Sequence, residues 1–319
     1  MSPGLNPENK EAEPGKDYIM NLLITGAWQE APDYIPILEK QGHSVRFLKC
    51  EADELPCNPI WVEGIICNAI FLYHDIDKFT ALRYIQLTSA GLDRVPMDYV
   101  NEHRIIIHSA RDVYSVPMAE LAVAGVLQLF KDMTGFYENQ KNHLWKKNRE
   151  LRELAGKTVS IIGCGSVGTE CAKRFKAFET TVIGVNDVVR ENKYYDNIVG
   201  IRQLDQILSV SDIVIISVPL TDKTKGLINS TRLDKMKKET ILVNLARGAV
   251  VVTKDLLAAL NKNIIGGAVL DVFENEPLDK NSPLWDLDNV IITPHNSFVS
   301  EKNNRRMSSQ ILNNLYSLT

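Results

Sequence analysis

The chain has 319 residues, enough for two domains of ordinary size. Its 45% hydrophobic and 24% charged residues are the balance of a soluble globular enzyme. A net charge of −4 with no Lys/Arg run argues against nucleic acid and acidic membranes as partners.

Residues 1–19 are polar, carry three prolines and lack the apolar centre of a signal peptide, so they read as a disordered extension. Met20 makes a sensible native start, because Asn21-Leu22-Leu23-Ile24-Thr25 is already strand-like. From 20 to about 110, apolar runs end at Thr25, Leu48, Asn68, Thr88 and His108. Stretches with helical spacing lie between them, such as Tyr34, Ile37, Leu38 and Gln41. Strands alternating with helices imply a parallel sheet covered on both faces. Residues 117–131 form the longest apolar helix, opened by Pro117 at a first helical position. A polar helical segment runs on to about Lys147, and the pair reads as the crossover into a second domain. Strands are expected there at 157–162, 181–186, 212–217, 240–244, 264–270 and 289–292, six with crossovers, which is the doubly wound dinucleotide fold. The tail, 299–319, looks helical and returns to the first domain. No run approaches the ~18 apolar residues of a membrane span.

Five cysteines, at 50, 57, 67, 164 and 171, form no Cys-x-x-Cys pair. They read as free thiols in a reducing, cytoplasmic compartment, with no metal site. Cys164 and Cys171 are expected on one face of one helix, as packing residues.

The run Thr158-Val159-Ser160-Ile161-Ile162 feeds directly into Gly163-Cys164-Gly165-Ser166-Val167-Gly168. Val167, Cys171, Phe175 and Phe178 then mark one helical face. In this strand–loop–helix setting Gly163 allows a tight turn, Gly165 lets a pyrophosphate approach the backbone, and Gly168 lets helix pack on strand. The helix start supplies N–H groups and a positive dipole end. A bare glycine motif is often a chance turn; the flanking strand and helix make that reading the poorer one. The second strand ends in Asn186-Asp187. If Asn186 holds the tip, no carboxylate meets the ribose, and Arg190 and Lys193 are candidates for a 2′-phosphate. If Asp187 reaches the ribose, NAD is favoured over NADP.

Three polar residues follow, each in its own motif: Arg247 in Asn244-Leu245-Ala246-Arg247-Gly248, Glu276 before Pro277, and His295 after Pro294. Reducing a carbonyl needs a hydride donor, an acid for the oxygen and a cation that orients the substrate. Nicotinamide supplies the hydride. His295 suits the acid, since an unperturbed histidine titrates near ~6.5. Glu276 beside it would favour the imidazolium and fix the ring. Arg247 offers a planar fork for a carboxylate. The bland alternatives are a strand-end histidine satisfied locally and a surface Arg–Glu pair. Glu274 competes with Glu276, and His74 and His108 compete with His295.

These motifs, with Ser89-Ala90-Gly91-Leu92-Asp93, Glu153-Leu154-Ala155-Gly156-Lys157-Thr158, Ser217-Val218-Pro219-Leu220-Thr221 and Leu270-Asp271-Val272-Phe273, resemble the D-2-hydroxyacid dehydrogenases over essentially 20–319. The resemblance implies two doubly wound parallel-sheet domains, a flavodoxin-like substrate domain over 20–116 and a Rossmann NAD(P) domain over 117–294, with 295–319 returning to the first domain and the active-site cleft between them. It selects Glu276 over Glu274, pairs Glu276 with His295 as acid/base, and gives Arg247 to the substrate. It assigns the cofactor to residues 163–168, Asn186, Asp187, Val218, Pro219, Thr224, Leu245, Ala246, Asp271 and His295. The nicotinamide amide falls to Asp271 and the backbone near Ala246. It gives the substrate carboxylate to Asn68 and the Ser89, Ala90 and Gly91 backbone, and implies a homodimer built around the 117–131 region. Asn186 and Asn296-Ser297-Phe298 depart from the family pattern, and the early C-terminus leaves no room for a regulatory serine-binding domain. The expected reaction is reduction of a small 2-keto acid, or oxidation of a D-2-hydroxy acid, with NAD or NADP. A nucleotide-sensing interaction module of the corepressor type is the alternative from another class. A formate enzyme is disfavoured, since those carry Gln at the Glu276 position.

Overall fold

Two sets of short, β-branched runs become two parallel sheets in the computed structural model, which describes residues 19–318. The expected extension, 1–19, lies outside the described residues except for Ile19. The chain divides into two compact units: unit 1 runs to Val113 and resumes at Glu301, and unit 2 is Tyr114–Ser300. The dividing points differ from 116/117 and 294/295. The long helix already starts at Ser115, and the turn after His295 is bonded back to Asp271 in unit 2.

In unit 1, β1 (Asn21–Thr25), α1 (Ala31–Lys40), β2 (Ser44–Leu48), β3 (Gly64–Cys67), β4 (Tyr84–Leu87), α2 (Met97–Glu102) and β5 (Ile106–His108) follow in order. The sheet order is β2-β1-β3-β4-β5, all parallel. β3 and β4 are buried along their whole length, as strands covered on both faces must be.

Unit 2 opens with α3 (Ser115–Phe130) and α4 (Met133–Lys141). The expected helix to Lys147 stops at Lys141, because beyond it residues 142–151 are all exposed and offer no face to bury. The sheet follows: β6 (Thr158–Ile162), α5 (Ser166–Lys176), β7 (Thr181–Val185), β8 (Asn197–Val199), α6 (Leu204–Val210), β9 (Ile213–Ile216), α7 (Ser230–Leu233), β10 (Ile241–Asn244), α8 (Thr253–Asn261), β11 (Gly267–Leu270) and β12 (Val290–Ile292). The order is β12-β11-β10-β9-β6-β7-β8, seven strands where six were expected. The extra strand, β8, has three residues, too few for a periodic pattern to register. α3 packs on α5 and approaches β11 so closely that a Cβ on Gly125 would lie 2.6 Å from Val269. Cys164 precedes α5, so it does not share a helical face with buried Cys171, and Phe178 lies beyond the helix end, exposed.

The last helix, α9 (Asn303–Tyr316), belongs to unit 1, as expected of the tail. It buries Met307, Ile311 and Leu315. Ser308 sits between the Trp28 indole, which donates to it at 2.8 Å, and Glu30, to which it donates at 2.6 Å. Asn314 donates to buried Gln86 at 2.9 Å. Removing Ile311, which has no exposed surface, leaves a cavity that the surrounding helix cannot fill. Ile311→Ala is expected to cost about 2–5 kcal/mol of stability, read as a lower denaturant midpoint at unchanged m-value.

Candidate active site

All six loops that matter in unit 2 leave the carboxyl ends of parallel strands. The chain runs outward from β6 to β7 and β8, then returns to β9 on the other side of β6. That reversal is a topological switch point, the place where open α/β sheets bind ligands. The glycine loop leaves β6 there, and Val218-Pro219 leaves β9 beside it.

Each glycine of the loop has a distinct steric reason. Gly163 has φ +99°, and a Cβ on it would meet the Ser217 backbone at 2.9 Å. A Cβ on Gly168 would lie 2.1 Å from the Gly163 carbonyl oxygen, so only glycine lets α5 start this close to β6. A Cβ on Gly165 would meet nothing within 4 Å. Gly165 therefore borders open space at the N-terminus of the eleven-residue helix α5, next to Ser166 and Val167. An opening at a helix N-terminus fits a pyrophosphate. Ser217 donates to Gly163 O at 2.7 Å, and Thr224 closes the next loop with a bond to Pro219 O at 2.6 Å.

Asn186 is the first residue after β7. Its Oδ1 accepts from Cys164 N at 3.2 Å, and its Nδ2 donates to Val188 O at 2.9 Å. It staples the glycine loop to the turn beyond, a double role that a carboxylate could not fill. Asp187 next to it is exposed. The thiol of Cys164 tucks toward Gly184, where a Cβ would be 2.5 Å from it, and burial pushes that thiol up in pKa.

The three polar residues follow β10, β11 and β12, which are adjacent strands. Buried Asn244 ends β10. It accepts from Ala246 N at 3.1 Å and donates to Arg247 O at 3.1 Å, fixing the Arg247 turn. Arg247 Nη1 donates to Ala246 O at 2.8 Å. Leu245 and Ala246 are buried, and the Ala246 N–H and carbonyl are bonded to Asn244 and Arg247. A Cβ on Gly248 would fall 1.8 Å from the Phe273 carbonyl carbon. Glycine thus lets the Arg247 turn press against the turn that carries Glu276.

Glu276 Oε1 accepts from Phe273 N at 3.0 Å, and Oε2 lies 2.7 Å from His295 Nδ1. The competing Glu274 accepts from Thr253 N at 3.3 Å instead. His295 sits at φ +50°, in the left-handed region. Asp271, at the end of β11, has no exposed surface and holds this turn. Its Oδ1 accepts from Thr293 Oγ1 at 2.6 Å and Asn296 N at 2.8 Å, and Ser297 N reaches both carboxylate oxygens at 3.1 Å. Its carbonyl accepts from His295 N at 2.8 Å. Phe298 stands edge-on to His295 at 6.0 Å and to Tyr114 at 5.7 Å, and burial pushes the Tyr114 hydroxyl up in pKa. Nothing in the local sequence flagged Thr293 or Tyr114, and Asn244 stood out only as the start of the Arg247 motif; their roles come from contacts.

Unit 1 contains the other candidates. Asn68 and Ala69, just past β3, donate their backbone N–H groups to Glu51. Ser89 Oγ donates to Gly91 O at 3.0 Å, shaping the turn after β4, and Ala90 is exposed. The competing histidines are placed otherwise. His74 Nε2 lies 2.9 Å from Glu51 O, and His108 packs edge-on against Tyr84 at 5.7 Å.

A switch-point crevice with a glycine cradle, bordered by an arginine and a carboxylate–histidine pair, defines a dinucleotide-binding oxidoreductase. The chain belongs to the D-isomer specific 2-hydroxyacid dehydrogenases: that family's NAD binding domain matches residues 123–297. The chain is 35% identical over 231 residues to the D-3-phosphoglycerate dehydrogenase of Methanocaldococcus jannaschii, a match covering 71% of this chain and 44% of that protein. It is 34% identical over 256 residues to the glyoxylate reductase of Thermofilum pendens, covering 75% of this chain and 73% of that one. The solved structure of D-lactate dehydrogenase from Aquifex aeolicus, complexed with NAD and lactic acid, is similar at TM-score 0.77 and 28% identity over 93% of this chain and 95% of that one.

The glycines give a discriminating pair of variants. Gly165→Ala should fold normally, with a melting temperature within about 2 °C of the parent, but weaken NADH binding at least tenfold, about 1.4 kcal/mol. Gly168→Ala should lose both stability and binding. Fluorescence titration with NADH and a thermal melt on each variant check this.

Proposed function

We propose that the protein reduces small 2-keto acids, and in reverse oxidises D-2-hydroxy acids, with His295 as the acid/base. The 2.7 Å contact between His295 Nδ1 and Glu276 is the observation that carries this reading. A bound nicotinamide dinucleotide would supply the hydride; residues 163–168 would hold its pyrophosphate, and the Val218-Pro219 loop and Thr224 would border it, whereas Asp271, expected at the nicotinamide amide, is buried with both carboxylate oxygens bonded inside the protein. Glu276 takes the Nδ1 side of the ring, which leaves Nε2 to give a proton to the carbonyl oxygen. Arg247 clamps the substrate carboxylate in a fork. Within unit 1, Asn68 and the Ser89–Gly91 backbone are the donors offered to a substrate carboxylate. Asp187, exposed while Asn186 is committed to the loop, receives the ribose, so NADH is preferred modestly over NADPH. Five free cysteines fit a cytoplasmic setting, and no helix among the described residues is long and apolar enough to cross a membrane.

Oxidation of NADH and of NADPH with glyoxylate, hydroxypyruvate and pyruvate is the direct test; no turnover with any of them would sink the reading. His295→Ala should cut turnover by ~10²–10⁴ with cofactor binding near normal. Glu276→Gln should lower kcat with NADH binding near normal, because an amide no longer pairs with the ring; a parental kcat removes the pair from the reaction.

We further propose a homodimer. Residues 142–151 are all exposed and carry Leu144 at 57% and Trp145 at 96% exposure, which is an unusual cost for an apolar pair in water. A second copy that covers this arm together with the outer face of α3 removes it. Sedimentation at micromolar concentration should give twice the 35.9 kDa chain mass, and Trp145→Ala should weaken the association; a particle of single-chain mass in the parent overturns the dimer.

A further inference from the structure

Unit 1 holds a polar cluster around Asn68 whose other members the chemistry above does not use. Glu51 follows β2, and its carboxylate gathers donors from the ends of two other strands. Oε1 accepts from Thr25 Oγ1 at 2.8 Å and from Asn68 N at 2.6 Å, while Oε2 accepts from Ala69 N at 2.7 Å. Thr25 is fully buried, and the Glu51 carbonyl is itself anchored on His74 at 2.9 Å. These are short, charge-assisted bonds, of the kind that fix a backbone. Their consequence is that the N–H groups of Asn68 and Ala69 are spent internally. What Asn68 has left for an anion is its side-chain amide.

That amide has two ends, and a neighbour decides which faces where. Arg94 Nη1 lies 3.3 Å from Asn68 Oδ1. A guanidinium only donates, so the amide oxygen turns to Arg94 and Nδ2 is the branch left to donate. We infer that Glu51 and Arg94 are positioning residues that set Asn68 as an N–H donor to the substrate carboxylate, Glu51 by fixing its backbone and Arg94 by fixing its amide orientation. The inference rests on the reading that Asn68 meets that carboxylate. Neither residue touches the reacting atoms. Arg94 adds a positive charge behind the donor, which polarises the amide and favours an anionic partner.

The test is a set of steady-state cycles with the most active of glyoxylate, hydroxypyruvate and pyruvate, on the full chain. Arg94→Met and Glu51→Gln should each raise KM about tenfold, with kcat and the NADH dissociation constant within twofold of the parent. Glutamine presents an NH2 group to one of the two backbone donors, so it cannot replace both bonds. Arg94→Lys, still a donor, should restore KM to within about threefold. In an Asn68→Ala background the same two substitutions should have no further effect on KM. A further tenfold rise in that background means that Arg94 meets substrate directly, and overturns the inference. Parental KM for Arg94→Met and Glu51→Gln, beside a raised KM for Asn68→Ala, overturns it alone. Parental KM for Asn68→Ala removes Asn68 from the substrate site and the inference with it. A fall in kcat and melting temperature at unchanged KM assigns Glu51 a purely structural role and overturns its part. Arg94 is exposed, so its variants remain readable if Glu51→Gln fails to fold.

Discussion

The buried carboxylate of Asp271 is the interaction on which the turn carrying His295 depends. A carboxylate removed from water must be met by donors or it shifts to the neutral form. Here the donors are Thr293, Asn296 and Ser297, all flanking His295. Satisfying Asp271 and placing His295 are therefore one event. Holding a histidine in the left-handed region costs ~1–2 kcal/mol, and the backbone bonds at 296 and 297 offset that cost. The imidazole then arrives at Glu276 without having to be steered by the pair contact itself.

A second constraint is the space between backbones. Gly168 and Gly248 each occupy a position where any Cβ would collide with main chain. One brings α5 onto β6, so that the helix N-terminus faces the crevice. The other brings the Arg247 turn against the Phe273–Glu274 backbone. The site is built from main-chain packing first, and the polar side chains are carried into place by it. Asn244 and Asn186 play matching parts at the ends of β10 and β7. Each uses both ends of its amide, Asn244 to close the Arg247 turn and Asn186 to tie the glycine loop to its own turn, which a carboxylate cannot do.

This arrangement also separates two uses of charge. Glu276 is half exposed and holds a histidine; Asp271 is buried and holds a loop. Both are acids within six residues of one another, and the local sequence gives no sign of the difference. Burial decides it, because only the buried one must have all its partners supplied by the protein.

The fold was legible in the sequence because parallel strands covered on both faces are continuous apolar runs, and their ends coincide with the expected positions within a few residues. The glycine loop was legible for the same reason: backbone geometry restricts residue type locally, so a strand, three glycines and a helix carry their own meaning. The Arg247, Glu276 and His295 motifs were also visible in the chain. What the sequence could not give was partner choice between residues far apart in the chain. The Glu276–His295 pairing was expected from the motifs and their resemblance, but that Glu274 reaches Thr253, that Asn186 is a staple, that β8 exists at all, and that Glu51 gathers Thr25, Asn68 and Ala69 are outcomes of packing. A local pattern fixes what a residue is suited to do, whereas hydrogen-bond partners are assigned by which strand ends the sheet order brings side by side, and only the tertiary structure sets that order.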